Sequence, residues 1–249
     1  MPGKRKLSPI EAFELNMSDA HQLVKLVEGF KNQRAYRMRA ELRNRIGDAL
    51  RIADRKRSEL DCLQSGDVFL TFLPGSRLAR ADFEDPRPLL RQSLVAACAA
   101  VETYLGDKVM QNVGPLLRSE ATLTPRLGNL QLGLEAWMRI EQNYKRKRWG
   151  LREFVVEPYV RENCSTAPNK VGVMLSLVGL DDWAKKVDGQ RRVARGETVK
   201  CLERITGRRN RIAHQGDRVG RGRASLDVKE VEDDLAALES IVRAIEALL

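Results

Sequence analysis

The sequence predicts an all-α protein, and three observations carry this. Apolar residues recur at spacings of three and four along nearly all of the 249 residues. No run of strict alternation flanked by hairpin turns stands out. Ser, Thr and Asp stand where helices would start, and Gly where they would end. The expected organisation is one domain over 1–249: N-terminal helices over 8–64, a loop over 65–88, and a helical bundle over 89–249.

The first helix is read from Leu15, Ala20, Leu23, Val24, Val27 and Phe30, with Ser18 or Asp19 interrupting or capping it and Gly29 loosening its end. A second helical segment is expected from Ala35 to Leu63, with Leu42, Ile46, Ala49, Leu50 and Ala53 inward. Its other face carries Arg34, Arg37, Arg39, Arg43, Arg45, Arg51, Arg55 and Arg57. Gln64 to Pro88 holds two glycines and three prolines and reads as a long loop. Leu89 to Val113 is strongly apolar between Leu94 and Val101, as a central helix would be, and Gly114-Pro115 should end it. A segment with turn signals from Thr122 leads to a helix bearing Trp137, Ile140 and Tyr144. Shorter helices follow over Arg152–Val160 and Lys170–Leu180. Asp181 or Asp182 should cap a helix at Trp183, and Thr198 the next, which ends near Gln215 with Gly216 as a left-handed cap. Asp227 and Glu230 resemble a capping box before the last helix, whose apolar stripe runs from Val231 to Leu248.

Composition narrows the classes of function. The net charge is +10 and the pI about 9.7. Of 44 basic residues, 31 are Arg, the fork-shaped donor suited to phosphate and planar bases. A polyanion partner, nucleic acid first, is the reading this favours; a highly charged solvated surface is the other. The longest apolar run, Val171–Leu180, is ten residues, against the roughly 20 a membrane helix needs. No signal peptide is recognised at the start. Cys62, Cys98, Cys164 and Cys201 show no two-residue spacing, and the chain has two His, which argues against structural zinc. Cys98 reads as a core residue. A cytoplasmic protein without a cofactor is expected.

The charge is unevenly placed. Residues 185–223 hold 13 basic and 4 acidic side chains, and residues 224–249 hold 2 and 7. Within the basic stretch, Leu202, Ile205, Arg209 and Ile212 share one helical stripe, so Arg209 lies on the face that should be buried. A buried guanidinium needs an anion or several carbonyls. Glu102, in the otherwise apolar central helix, is the candidate partner, either for chemistry or only to order the core. His214 falls in the last turn of the same helix, four residues after Asn210 and three after Arg211. The helix end favours its cationic form and the neighbouring arginines oppose it, a balance that suits acid–base chemistry. A surface or C-capping His is the plainer reading.

Arg209-Asn210-Arg211-Ile212-Ala213-His214 resembles the Arg-polar-three-residues-His motif of HEPN domains. The setting is similar too: a helix end, a short turn at Gln215-Gly216-Asp217, then an acid-capped last helix. Ser93 to Leu105, with Glu102, resembles the helix that faces the motif. Leu177 to Trp183 resembles the segment before the motif helix in the RiboL-PSP-HEPN branch. Gly216 stands where some branches carry a Tyr. The resemblance spans about 89–249.

It implies a HEPN-like helical bundle with additional N-terminal helices, forming a homodimer whose two motifs share one cleft. Many such domains are metal-independent endoribonucleases of toxin–antitoxin or phage-defence systems, with an antitoxin or defence protein as a further partner; others are inactive binding or assembly modules. The implied roles are His214 as base or acid, Arg209 as phosphate clamp, Asn210 orienting His214 or donating to phosphate, and Glu102 orienting Arg209. RNA would be cleaved by 2′-hydroxyl attack, leaving a 2′,3′-cyclic phosphate, and DNA would be spared. Arg208, Arg211, Arg218, Arg221 and Arg223 are expected to contact RNA. The 218–223 segment could instead be a plain flexible turn; it is not a phosphate loop, since no Gly-Lys-Ser/Thr follows. Lys145-Arg-Lys-Arg148-Trp149 mixes cations with an aromatic, as RNA-contacting segments do, or is a solvated helix end. His21 reads as structural.

Overall fold

A computed structural model describes residues 7–31, 40–49, 51–55, 61–65, 68–72, 85 and 87–249. The chain is all-α, with two small antiparallel hairpins. Helix α1 (Pro9–Lys31) runs unbroken through Ser18 and Asp19, which are exposed. Its start matches the expected N-terminal boundary near residue 8 and is fixed by a capping box: Ser8 Oγ accepts the Glu11 N–H at 3.3 Å, and Glu11 Oε2 accepts the Ser8 N–H at 2.8 Å. Phe13, Met17, Ala20, Val24 and Val27 are its buried stripe, whereas Leu15 points to solvent at 59% exposure.

Helix α2 (Ala40–Ala49) is much shorter than the expected 35–63. It stops where Arg51 turns left-handed at φ +54° and the Ile52 N–H returns to the Gly47 carbonyl. The next elements are strands, β1 (Asp61–Ser65) and β2 (Val68–Phe72), paired antiparallel with Ser65 opposite Val68. This corrects the helix expected to reach Leu63 and the loop expected from Gln64. The overlooked signal is local: Val68-Phe-Leu-Thr-Phe72 is β-branched and aromatic, and Gly66-Asp67 is a two-residue hairpin spacing. Of the arginines on the expected second helix, Arg45, Arg51 and Arg55 are exposed. Arg34, Arg37, Arg39 and Arg57 lie outside the described residues.

Helix α3 (Arg87–Leu116) is the axle of the bundle. It packs against α1 and, further along the chain, against α7 (Glu157–Asn163), α8 (Pro168–Ser176), α10 (Glu197–Gln215) and α11 (Val228–Leu248). Pro88 is accommodated in the first turn, where an N–H would have no helical acceptor and its absence costs nothing. Pro115 lies inside the last turn instead of ending the helix at Gly114. Its ring forfeits the bond to the Gln111 carbonyl and crowds it, and the helix ends one residue later. Between these partners lie α4 (Pro125–Gly128), α5 (Leu134–Asn143), α6 (Lys147–Leu151) and a π-helical turn (Arg152–Val156). Tyr144 caps α5 rather than lying within it.

Two apolar clusters result. The larger joins α1, α3, α10 and α11 through Phe13, Leu94, Leu105, Ile205, Leu235 and Ile241 among others; the smaller lies under α7 and α8 around Val109, Val113, Met174 and Leu177. Burial on this scale is the main stabilising term. Polar ties fix the register of α3 on α11: Tyr104 Oη and Lys108 Nζ each donate to Glu246 at 2.7 Å. His21 Nε2 lies 2.8 Å from Glu239 Oε1 and links α1 to α11.

Candidate functional site

The basic helix α10 begins in an unexpected way. Its N-cap is Gly196 at φ +85°, and Thr198 lies inside the first turn. The cap is supplied by the preceding helix α9 (Trp183–Arg191): Asp188 Oδ2 accepts the Gly196 N–H at 2.6 Å and Oδ1 the Thr198 N–H at 2.9 Å. Burial raises the Asp188 carboxyl, but these bonds and the Thr198 hydroxyl outweigh it and hold the group below its ordinary value. Thr198 Oγ1 accepts from Arg191 Nη1 at 2.7 Å. Asp182 occupies the N-cap position of α9 as expected, left-handed at φ +51° and without a side-chain cap bond. The indole of Trp183, first residue of α9, lies over Gly172, where a Cβ would stand 2.8 Å from its Nε1.

At its other end α10 finishes on Gly216, left-handed at φ +60°, with its N–H on the Ile212 carbonyl. The chain turns sharply there and forms a hairpin, β3 (Arg218–Val219) against β4 (Gly222–Arg223), with Arg218 opposite Arg223. Asp227 then caps α11 by accepting the Glu230 N–H at 2.8 Å.

Along α10, Leu202 and Ile205 are buried and Arg209 follows on their stripe. Arg209 Nη2 donates to Glu102 Oε2 at 3.1 Å and to Oε1 at 3.3 Å. The two side chains are 26% and 20% exposed. Arg209 Nη1 also donates to Asn210 Oδ1 at 3.1 Å. The Glu102 carboxylate accepts the Thr166 N–H at 3.3 Å, and Thr206 Oγ1 donates to Thr166 Oγ1 at 3.0 Å. Behind it the Cys164 thiol donates to the Glu102 carbonyl at 2.7 Å; burial pushes that thiol up to about 11, so it stays protonated. Cys98, fully buried one turn before Glu102, is pushed up to about 12, again by burial. The result is a carboxylate-anchored guanidinium at the rim of the bundle.

His214 lies in the last turn of the same helix and is exposed, as are Asn210, Arg211, Arg218, Arg221 and Arg223. Among the described residues no hydrogen bond joins His214 to Asn210 or Arg211. Asn210 is turned to Arg209 instead.

Arg208 departs from its expected outward role. Its side chain is only 13% exposed, and Nη2 donates to Asp217 Oδ2 at 2.8 Å and to the Ser225 carbonyl at 2.7 Å. Asp217 is fully buried and accepts a second charged bond, from Arg91 Nε of α3 at 3.0 Å; Arg91 Nη2 reaches the Ala224 carbonyl at 2.8 Å. A buried carboxylate draws in the nearest cations, and Arg208 is one of them. Sequence reasoning missed Asp217 and Arg91. Arg91 shares a stripe with Leu94 and Cys98, the same signal that exposed Arg209.

Glu102 also borders a groove of about 890 Å³ that follows α3 past Gly106 and Met110 to Arg152. Among the described residues, no group of three or more His, Cys, Asp or Glu is placed to hold a metal ion, and no helix is long and apolar enough to cross a membrane. No family model, curated protein or solved structure matches the chain.

Proposed function

We propose that the chain is a cytoplasmic, metal-independent endoribonuclease of HEPN type, acting as a homodimer with a shared cleft in a toxin–antitoxin or phage-defence system. The observation that carries this reading is the Arg209–Glu102 pair, held across two helices five residues before an exposed histidine. Cleavage without metal needs deprotonation of the 2′-hydroxyl, cationic stabilisation of the pentacoordinate phosphate, and protonation of the leaving 5′-oxygen. Glu102 restricts Arg209 to one orientation, so less rotamer entropy is lost when a phosphate binds. His214 is accessible to a substrate and supplies the proton transfer, with its counterpart from a second copy as the complementary acid or base. Arg211, Arg218, Arg221 and Arg223, all exposed, add cations for the RNA backbone.

The deciding experiment is cleavage of single-stranded RNA by purified chain, with and without His214→Ala, in the presence of a chelator. The expected result is cyclic-phosphate product from the wild type alone, with DNA of the same sequence left intact. Equal cleavage by both proteins would overturn the assignment. One observation favours a second reading, an inactive binding or assembly module: among the described residues no side chain hydrogen-bonds His214, and Asn210 faces Arg209 instead. RNA binding without cleavage in the same assay would favour that module.

A further inference from the structure

A second cluster of arginines lies away from the motif, at the far end of the groove. Arg148 and Arg152 flank the indole of Trp149, with guanidinium carbons 5.5 and 5.8 Å from its ring centroid. The indole is 46% exposed. Together with Arg118 they border a pocket of about 310 Å³ whose floor is Met110 and Gly114 of α3. No carboxylate among the described residues lines this pocket, although Glu153 and Glu157 lie beside Trp149 and Arg152 on the adjoining surface. Among the described residues, none of the three guanidinia forms a hydrogen bond or ion pair through its side chain, in contrast to Arg91, Arg208 and Arg209. The pocket shares Met110, Gln111 and Arg152 with the groove that begins at Glu102. Nine residues of helix separate Glu102 from Gln111, about 14 Å at the rise of an α-helix.

We propose that this pocket binds one nucleotide, its base stacked on Trp149 and its phosphate held by Arg118, Arg148 and Arg152. Three cations without carboxylate partners, two of them over a half-exposed indole they would vacate for a base, match the two halves of a nucleotide, since every base offers a π-face and every unit a phosphate. A fatty or purely apolar ligand would leave the guanidinia unpaired, and a bare anion would leave the indole unused. The continuity with Glu102 makes the source a unit of single-stranded RNA lying along α3. In that respect the inference rests on the ribonuclease reading, but the pocket itself does not need His214.

Gly114 offers a test, because nothing lies within 4 Å of where its Cβ would stand. Gly114→Leu should project into the pocket; because a Cβ before Pro115 disfavours the helical backbone, its folding is checked by circular dichroism, and Trp149→Ala gives an independent test. The full chain carrying His214→Ala, so that substrate survives, is titrated with a labelled single-stranded oligouridylate, with AMP and with inorganic phosphate as competitors. Adding Gly114→Leu or Trp149→Ala should weaken oligonucleotide binding about ten-fold, and Trp149→Phe should largely restore it. Competition by AMP would show that a free nucleotide also fits, and no competition that only a strand does; both keep the nucleotide pocket. Unchanged binding in Gly114→Leu and Trp149→Ala, or competition by phosphate as strong as by AMP, would overturn it. If wild-type protein cuts no RNA while binding still depends on Gly114 and Trp149, the ribonuclease reading fails and the pocket stands.

Discussion

Asp217 and Arg208, nine residues apart, meet at 2.8 Å on the inside of the turn that follows α10. Arg91 completes the cluster from α3, and the carboxylate is fully buried. Removing the buried negative charge would strand the Arg91 guanidinium and leave Arg208 only the more distant Glu230 carboxylate at 3.9 Å. Asp217→Asn keeps the size and tolerates the left-handed backbone at φ +58°. It should nevertheless lower unfolding stability by about 3 kcal/mol, read by chemical denaturation. A loss comparable to that of an exposed Asp, such as Asp181→Asn, would show that the cluster does not stabilise the turn.

Arg209 and Glu102 should behave as a coupled pair. Arg209→Ala and Glu102→Ala are each expected to cost about 1–2 kcal/mol, and the double variant clearly less than their sum. Additive losses in the double-mutant cycle would mean that the 3.1 Å contact carries no coupling.

The Asp188 cap is expected to show in acid. Asp188→Ala removes the acceptor of two N–H groups and should cost about 1–2 kcal/mol near neutral pH. Because the folded carboxyl lies below its ordinary 3.8, its contribution is complete above that value and is lost as the pH falls through the lower folded value. Denaturation of wild type and variant between about pH 7 and 2 should therefore give curves that converge only below about pH 4. A gap that widens in acid would contradict the sign of the shift.

Gly172 and Trp183 are in contact because glycine leaves room for the ring. A Cβ at 2.8 Å from Nε1 must displace the indole, so Gly172→Ala should destabilise by about 1–3 kcal/mol. Trp183→Phe in the same background should recover part of the loss; no recovery would place the cost elsewhere.

What could be read from the sequence was mostly local. The left-handed Gly216, the Asp227 cap and the inward stripe that puts Arg209 opposite Glu102 all follow from spacing within one helix or turn. Apart from the Arg209–Glu102 pair, where each is a charge on an otherwise apolar face, features that depend on a distant partner were not legible. Thr198 has the residue type of a cap, yet Asp188 of another helix took that place. Arg208 looks like any other cation of the basic helix until Asp217 is folded beneath it. The β1–β2 pair was hidden by its setting, a short β-branched run beside arginine-rich sequence that reads as helix.

The hairpin after α10 sets two like charges directly opposite each other, Arg218 and Arg223. Such a cross-strand pair opposes the strand pairing that creates it. Ionic strength therefore acts on this element in two opposed senses. Added salt screens the mutual repulsion and tightens the hairpin, while the same screening weakens its hold on any phosphate.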